Sequence, residues 1–222
     1  MISHRALKIA AVVAFFILAV ASAVTAKKEI IMARQAPLWR VEDLLAQDAE
    51  QFSAYSIRAD YLAIDACLRM TNTVESLLLP SAERAKRARH CQALTENLLR
   101  KSPQNAYGWY AVARFAQISR QPDEMNHALE QSYFAGPNEQ WIAEQRVELA
   151  ESMLVALSEA AKTGHQNDLA MLVQSKRGIQ AIALQYVNNP GFRDRIAAIV
   201  EALPAEDQRR FLRVLRREVQ SN

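Results

Sequence analysis

Glycine is scarce in this chain, with five in 222 residues and no Asn-Gly or Asp-Gly pair. Tight β-hairpins depend on such pairs because their turns need positive φ angles. Most of the seven prolines fall between apolar, periodic segments rather than inside them. Glycine and proline placed in this way are typical of helices joined by short turns. The sequence therefore predicts an all-α protein.

The residues of common catalytic and metal sites are also few. The two cysteines do not form a CxxC motif, and the four histidines are scattered. The sequence contains no glycine-rich phosphate loop and no Gly-x-Ser-x-Gly motif. His90 and Cys91 are adjacent, but neighbouring residues on a helix point in different directions. We predict no catalytic residue, no metal site and no cofactor. The net charge of +3 is too small to indicate a nucleic-acid partner.

Long apolar runs occur once, at the amino terminus. The uncharged stretch Ile9 to Val24 is 16 residues long, and the stretch Ala6 to Ala26 is 21 if Lys8 extends to the interface. Basic residues lie on both sides, so the positive-inside rule orients the segment only weakly. We favour an uncleaved signal anchor in the inner membrane, with the rest of the chain in the periplasm.

Cleavage is the main alternative for this segment, ahead of a buried core helix. Ala21-Ser22-Ala23 and Val24-Thr25-Ala26 both resemble the small-residue sites at which signal peptides are cut. A cleaved chain would be secreted across the same membrane. Both interpretations predict that the remaining residues lie outside the cytoplasm.

Apolar periodicity predicts the organisation of the remaining chain. After the anchor at 1–28, we expect a juxtamembrane amphipathic helix at 29–52 and an α-helical domain at 53–222. Gly164 is expected to end a long helix, and Gly178 to cost its helix about 1 kcal/mol relative to alanine. The predicted helices cover 37–51, 54–77, 82–101, 138–163, 168–187, 191–202 and 205–219, in addition to the pair described below.

The two cysteines flank a predicted turn at Leu79-Pro80-Ser81. Cys67 and Cys91 are equally far from residue 79, and residues placed in this way lie side by side in an antiparallel helix pair. In an oxidising compartment we expect a disulfide between them. The alternative is two reduced thiols in the core.

Basic residues are concentrated in the predicted helix 82–101. Arg84, Arg87 and Arg89 form a candidate surface for an anionic ligand such as an acidic polysaccharide. A solvated helix face is the ordinary explanation of such a run. The same explanation applies to the carboxylate pair Glu148 and Glu151.

The stretch from Pro103 to Pro137 contains two helical segments separated by Gln121-Pro122-Asp123. The two outer prolines are 34 residues apart, and Trp109 lies 28 residues before Pro137. Small residues would allow close approach of the two helices, and bulky ones would fill the gaps between them: Val112, Ala113 and Ala116 on the first helix, and Met125, Leu129 and Ser132 on the second.

These features resemble one degenerate tetratricopeptide (TPR-like) unit at about 104–137. Tetratricopeptide proteins are built from 34-residue helical repeats. The resemblance covers about a sixth of the chain and implies an antiparallel helical-hairpin solenoid after the membrane helix. It also implies a partner-binding groove on the first helix, formed by Tyr107, Tyr110, Arg114 and Gln117. Packing of both tyrosines under a neighbouring helix is the alternative.

Together these features favour a non-enzymatic, membrane-anchored TPR-like scaffold that assembles other envelope proteins. Single-span proteins of this layout resemble accessory factors of bacterial polysaccharide synthesis and export. An anionic-glycan binder that uses the basic helix is the second hypothesis. An all-α glycan-active enzyme is the third, because a carboxylate pair from distant positions leaves no local motif.

Overall fold

A computed structural model describes residues 4–48, 52 and 55–221, and within these ranges every regular element is helical. The predicted all-α class is therefore confirmed. The α-helices are α1 (His4–Gln35), α2 (Val41–Leu45), α3 (Ile57–Asn72), α4 (Val74–Leu78), α5 (Ser81–Lys101), α6 (Ala106–Ile118), α7 (Pro122–Ala135), α8 (Gln140–Ser152), α9 (Glu159–Gln174), α10 (Gly178–Asn188), α11 (Pro190–Ala202) and α12 (Ala205–Ser221). Two 3₁₀ turns, Ala36–Leu38 and Leu154–Ala156, complete them.

The chain divides into two compact units, Met1–Leu98 and Leu99–Asn222. The predicted boundaries after residues 28 and 52 both lie within the first unit.

Helix α1 is long and apolar enough to cross a membrane. The stretch Lys8–Leu38 contains an 18-residue window with a mean hydropathy of 2.6, and none of that window is buried. Phe15 and Phe16 are 75% and 68% exposed. These properties are consistent with a single-pass membrane anchor or a signal sequence.

The first unit continues α1 beyond the predicted end of the anchor. The Glu29 carboxylate accepts hydrogen bonds from the backbone N–H groups of Tyr55 (2.6 Å) and Ser56 (2.8 Å). It also accepts one from the Ser56 hydroxyl at 2.5 Å. Ser56 is the N-cap of α3, so Glu29 fixes the start of that helix to the end of α1.

Two predicted helices of the first unit are shorter than expected. The helix predicted at 37–51 is the 3₁₀ turn Ala36–Leu38 followed by α2, while 49–51 lie outside the described residues. The helix predicted at 54–77 is interrupted at Thr73, which ends α3 and caps α4 by accepting from the Ser76 N–H at 3.1 Å. A threonine inside an apolar pattern starts a new helix here because its hydroxyl satisfies an N–H that has no helical partner.

A disulfide joins Cys67 on α3 to Cys91 on α5. Their Cα atoms are 5.7 Å apart, and both residues are fully buried. The covalent link closes the hairpin formed by α3, α4 and the first part of α5.

In the second unit, α6 and α7 form the helical pair expected between the two prolines. The six predicted packing positions on this pair, three on each helix, are all buried. Ser132 donates its hydroxyl hydrogen to the Ala106 carbonyl at 2.8 Å, which links the end of α7 to the start of α6. Trp109 is half-buried and donates from its indole nitrogen to the Pro103 carbonyl at 2.9 Å.

The single long helix predicted at 138–163 is wrong. Helix α8 ends at Ser152, and α9 begins after Ser158, whose hydroxyl accepts from the Ala161 N–H at 3.1 Å. The Ser158 N–H donates to Asn126 on α7 at 2.9 Å, so tertiary contacts favour the break. Gly164 is therefore not a C-cap but lies inside α9, where an added Cβ would stand 3.4 Å from the Tyr133 ring.

The helix predicted at 168–187 is also interrupted. Helix α9 ends at Gln174, and Gly178 is the first residue of α10. The Gly178 N–H donates to the Ser175 hydroxyl oxygen at 2.8 Å. Helices α9 to α12 then enclose a core of buried side chains that includes Leu169, Leu172, Ile182, Phe192, Ile196 and Phe211.

Candidate functional site

Buried charges of the second unit are concentrated on α8 and α9. Arg146 and Asp168 are 3% and 1% exposed and form a two-pronged ion pair with both N···O distances at 2.7 Å. The remaining guanidinium hydrogens point to the Ser132 carbonyl and hydroxyl (3.2 and 3.3 Å) and to the Gly136 carbonyl (3.3 Å). All five donors of Arg146 have acceptors, so the pair ties α7, α8 and α9 together.

A second cluster lies on three helices of the same unit. Glu151 on α8 accepts a hydrogen bond from His165 Nε2 on α9 at 2.7 Å. It also accepts from Arg195 on α11, through Nε at 3.2 Å and through a closer contact with Nη2. We call Glu151, His165 and Arg195 the carboxylate cluster.

The two carboxylates differ in their electrostatic setting. Burial alone would raise the pKa of Glu151, but the hydrogen bonds and charges of His165 and Arg195 outweigh it and hold the pKa below its ordinary value. Burial raises the pKa of Asp168, and the hydrogen bond and charge of Arg146 oppose that effect. Glu151 is therefore an ionised anchor that fixes the positions of His165 and Arg195.

The carboxylate cluster adjoins a cavity of about 720 Å³ between α9 and α11, which we call the α9–α11 cleft. Its polar lining consists of Lys162, His165, Gln166 and Arg195. Its apolar lining includes Leu154, Leu169, Ala198, Ile199, Ala202 and Leu203. A volume of this size falls within the usual range for small-molecule sites.

The polar side chains of this cleft can donate hydrogen bonds to a ligand. Among the described residues that line it, the polar groups are nitrogen-bearing side chains, and none is a hydroxyl, thiol or carboxylate. Its amide and cationic donors can hold an acceptor group, while the apolar side chains can cover an aliphatic one. Across the described residues, no group of three or more His, Cys, Asp or Glu is placed to hold a metal ion.

The groove residues predicted from the resemblance lie against α8. Tyr107 and Tyr110 are 8% and 5% exposed, and Tyr107 packs on the Trp141 ring at 4.8 Å. The Tyr110 hydroxyl donates to Gln145 at 3.1 Å, and burial raises its pKa to about 12. The tyrosines thus follow the packing alternative, because α8 of the same chain covers them.

The other two groove residues are half-buried. Arg114 donates to Gln117 at 2.6 Å, and Gln117 donates to the Ser152 hydroxyl at 2.9 Å. These polar contacts occupy part of the hydrogen-bonding capacity that an acidic partner would need.

The three arginines of the basic helix are not equivalent. Arg84 and Arg87 are half-buried, and Arg87 lies 3.8 Å from Glu83, whereas Arg89 is exposed. Residues 87 and 89 are separated by about 200° around a helix. The structure therefore does not gather the three side chains on one exposed face.

Sequence reasoning missed the carboxylate cluster. Glu151 was expected on a solvated face, but its side chain is only 10% exposed. Its partner Arg195 is 44 residues away on another helix, and no local spacing brings the two together. The one local signal is the pair Ser152 and Ser158. Serine is favoured at helix ends, so either residue could have indicated a break between two helices.

No protein-family model, no curated protein and no solved structure matches this chain.

Proposed function

We propose that the chain is a membrane-tethered, TPR-like helical adaptor that works outside the cytoplasm and assembles other proteins of a bacterial envelope complex. The observation that carries the proposal is the unburied apolar helix α1, which occurs in the same unit as the disulfide between α3 and α5. Disulfides persist in oxidising compartments, so the bond and the membrane-length helix favour the same location.

Helix contacts in the second unit support the TPR-like part of the proposal. Consecutive helices pair, α6 with α7 and α8 with α9. The first members of the two pairs also touch, as do the second members, α7 and α9. Stacked repeats make contacts of this kind because each pair buries an apolar face that it cannot cover alone.

Exposed apolar side chains support the adaptor role. Phe134 is 81% exposed at the end of α7, and Val155 is fully exposed in the 3₁₀ turn before α9. Large apolar residues that water surrounds are candidate anchors for a partner protein.

The test is co-purification of the tagged full chain from its native membrane in mild detergent. We expect a partner in a fixed ratio to the chain, lost when Phe134 and Val155 are both changed to serine. The control is Lys176→Ser, which changes another exposed position to serine and should retain the partner. Recovery of the chain alone, together with intact envelope complexes after its deletion, would refute the proposal.

The anionic-glycan hypothesis stays a prediction with its own test. Reversal of the charges at Arg84, Arg87 and Arg89 should abolish salt-sensitive glycan binding if the basic helix is the site. Binding that salt does not weaken would contradict it.

A further inference from the structure

We propose that the α9–α11 cleft binds a single-chain aliphatic carboxylate, with the hydrocarbon chain on the apolar lining and the carboxylate at Lys162, Gln166 and Arg195. The inference does not depend on the adaptor function, because it rests on the lining of the cleft, and neither Phe134 nor Val155 belongs to that lining.

The apolar lining favours an aliphatic chain. Leu169 and Ile199 on opposite helices face the cavity together with the small residues Ala170, Ala198 and Ala202. The alanines leave the space open, and the larger side chains supply the apolar wall. A cavity of about 720 Å³ is large enough for a chain of medium length.

The polar lining favours an anionic head group. Lys162 and Arg195 are 44% and 37% exposed at their side chains, whereas His165 is 5% exposed, so the two cations are more accessible to solvent than the histidine. The acidic partners of these cations, Glu159 and Glu151, are not among the residues that line the cleft. A ligand inside it therefore meets donors and no carboxylate.

Arg195 is prepared for such a head group by its contact with Glu151. The carboxylate holds Nε and Nη2, which fixes the plane of the guanidinium. Nη1 has no acceptor among the described residues and keeps its two hydrogens for a ligand oxygen. A preorganised donor loses less side-chain freedom on binding than a mobile one.

The occupant is tested with a ten-carbon fatty acid that carries a diazirine on its chain. The probe is photo-crosslinked to the full-length protein in its membrane, and the labelled peptides are identified by mass spectrometry. We expect label on peptides from 162–170 and 195–203. Unlabelled decanoate should reduce that label, while decanol and decyltrimethylammonium at the same concentration should leave most of it.

Two variants separate the roles of tail and head group. Ala198→Trp places a large ring at an exposed position that lines the cleft, and we expect it to reduce the label about tenfold or more. Gln166→Glu adds a carboxylate beside the head group and should also reduce it about tenfold, because like charges repel. Gln180→Glu is the matched control, since Gln180 is exposed on α10 and does not line the cleft. Circular dichroism verifies that each variant keeps its helix content.

The proposal is overturned if Ala198→Trp leaves the label unchanged, if the label lies mainly on other peptides, or if the cationic amphiphile competes as well as decanoate. Equal competition by decanol would assign the cleft to a neutral apolar ligand and would reject the carboxylate head. None of these results depends on whether envelope partners co-purify.

Discussion

At the scale of single residues, Arg146 is the clearest example of a buried charge that the fold cannot lose alone. It is fully hydrogen-bonded, and Asp168 accepts two of its five bonds. Arg146→Met should destabilise the second unit by about 3–5 kcal/mol, because Asp168 would remain buried without its partner. The measurement is chemical unfolding of the full chain, with hydrogen exchange used to follow α8 and α9.

The control is the double variant Arg146→Met with Asp168→Leu. Removal of both charges eliminates the uncompensated carboxylate, so this protein should be more stable than the single variant. A double variant that is less stable than Arg146→Met would show that the ion pair is not the source of the loss.

Glu151 predicts a dependence of stability on pH. Its pKa in the folded chain lies below its ordinary value of 4.5, so the folded state favours the ionised carboxylate. This contribution to the free energy of unfolding is complete above the ordinary pKa and is lost as the pH falls through the lowered folded value. His165 and Arg195 face Glu151 and produce the shift.

Glu151→Gln should therefore be less stable than the native chain at about pH 6, and the difference should shrink as the pH falls below the ordinary pKa of 4.5. Asp168, whose pKa is raised, is unchanged in both proteins and cancels in the comparison. Thermal unfolding of the two proteins across this range gives the answer. A difference that is constant with pH would mean that the Glu151 charge contributes nothing to stability.

At the scale of helices, propensity and packing predict opposite effects of a Gly178→Ala substitution on stability. Sequence propensity alone predicts that alanine would stabilise its helix. In the structure an added Cβ would lie 2.6 Å from the Ser175 hydroxyl, 2.7 Å from a Leu172 methyl and 2.9 Å from the Leu172 carbonyl. Gly178→Ala should therefore destabilise the chain by about 1–3 kcal/mol.

Gly191→Ala is the matched control for that substitution. Gly191 also lies in the first turn of a helix, but an added Cβ would meet only the Asn189 side chain at 3.5 Å. It should be neutral or slightly stabilising in the same unfolding experiment. Equal effects of the two substitutions would contradict the packing argument.

The breaks between helices show why the sequence predicted some elements and not others. The α6–α7 pair could be predicted because prolines bound it and its apolar residues face each other locally. Apolar residues continue through Leu154 and Leu157, so periodicity did not reveal the break after Ser152. Asn126, 32 residues earlier, accepts the Ser158 N–H and helps to fix that break, and such a contact leaves no local pattern.

The candidate cleft could not be predicted from the sequence for the same reason: it depends on contacts between distant residues. Its two walls, α9 and α11, are separated by α10, and its volume depends on how far apart those walls pack. Lys162, His165 and Arg195 are ordinary surface residues when the sequence is considered by itself. Only the three-dimensional contact of Glu151 with two of them distinguishes them from other basic residues.

At the scale of the whole molecule, membrane orientation and the oxidation state of Cys67 and Cys91 should change together. If α1 places the remaining chain in an oxidising compartment, the two thiols form a disulfide. The native protein should then resist maleimide labelling when it is denatured without reductant. Orientation depends on the short flanks of α1, where basic residues favour the cytoplasmic side.

Arg5→Glu with Lys8→Glu removes the arginine and the lysine before the apolar run and leaves Lys27 and Lys28 after it. We expect a substantial fraction of this variant to insert in the reverse orientation, with the two cysteines in the cytoplasm and open to maleimide after denaturation. A carboxyl-terminal alkaline phosphatase fusion, active only outside the cytoplasm, reports the orientation independently. Lys27→Gln with Lys28→Gln is the matched control, since it strengthens the native charge difference and should keep the disulfide. Loss of phosphatase activity without any gain of free thiols would separate the disulfide from membrane orientation and contradict the proposed location.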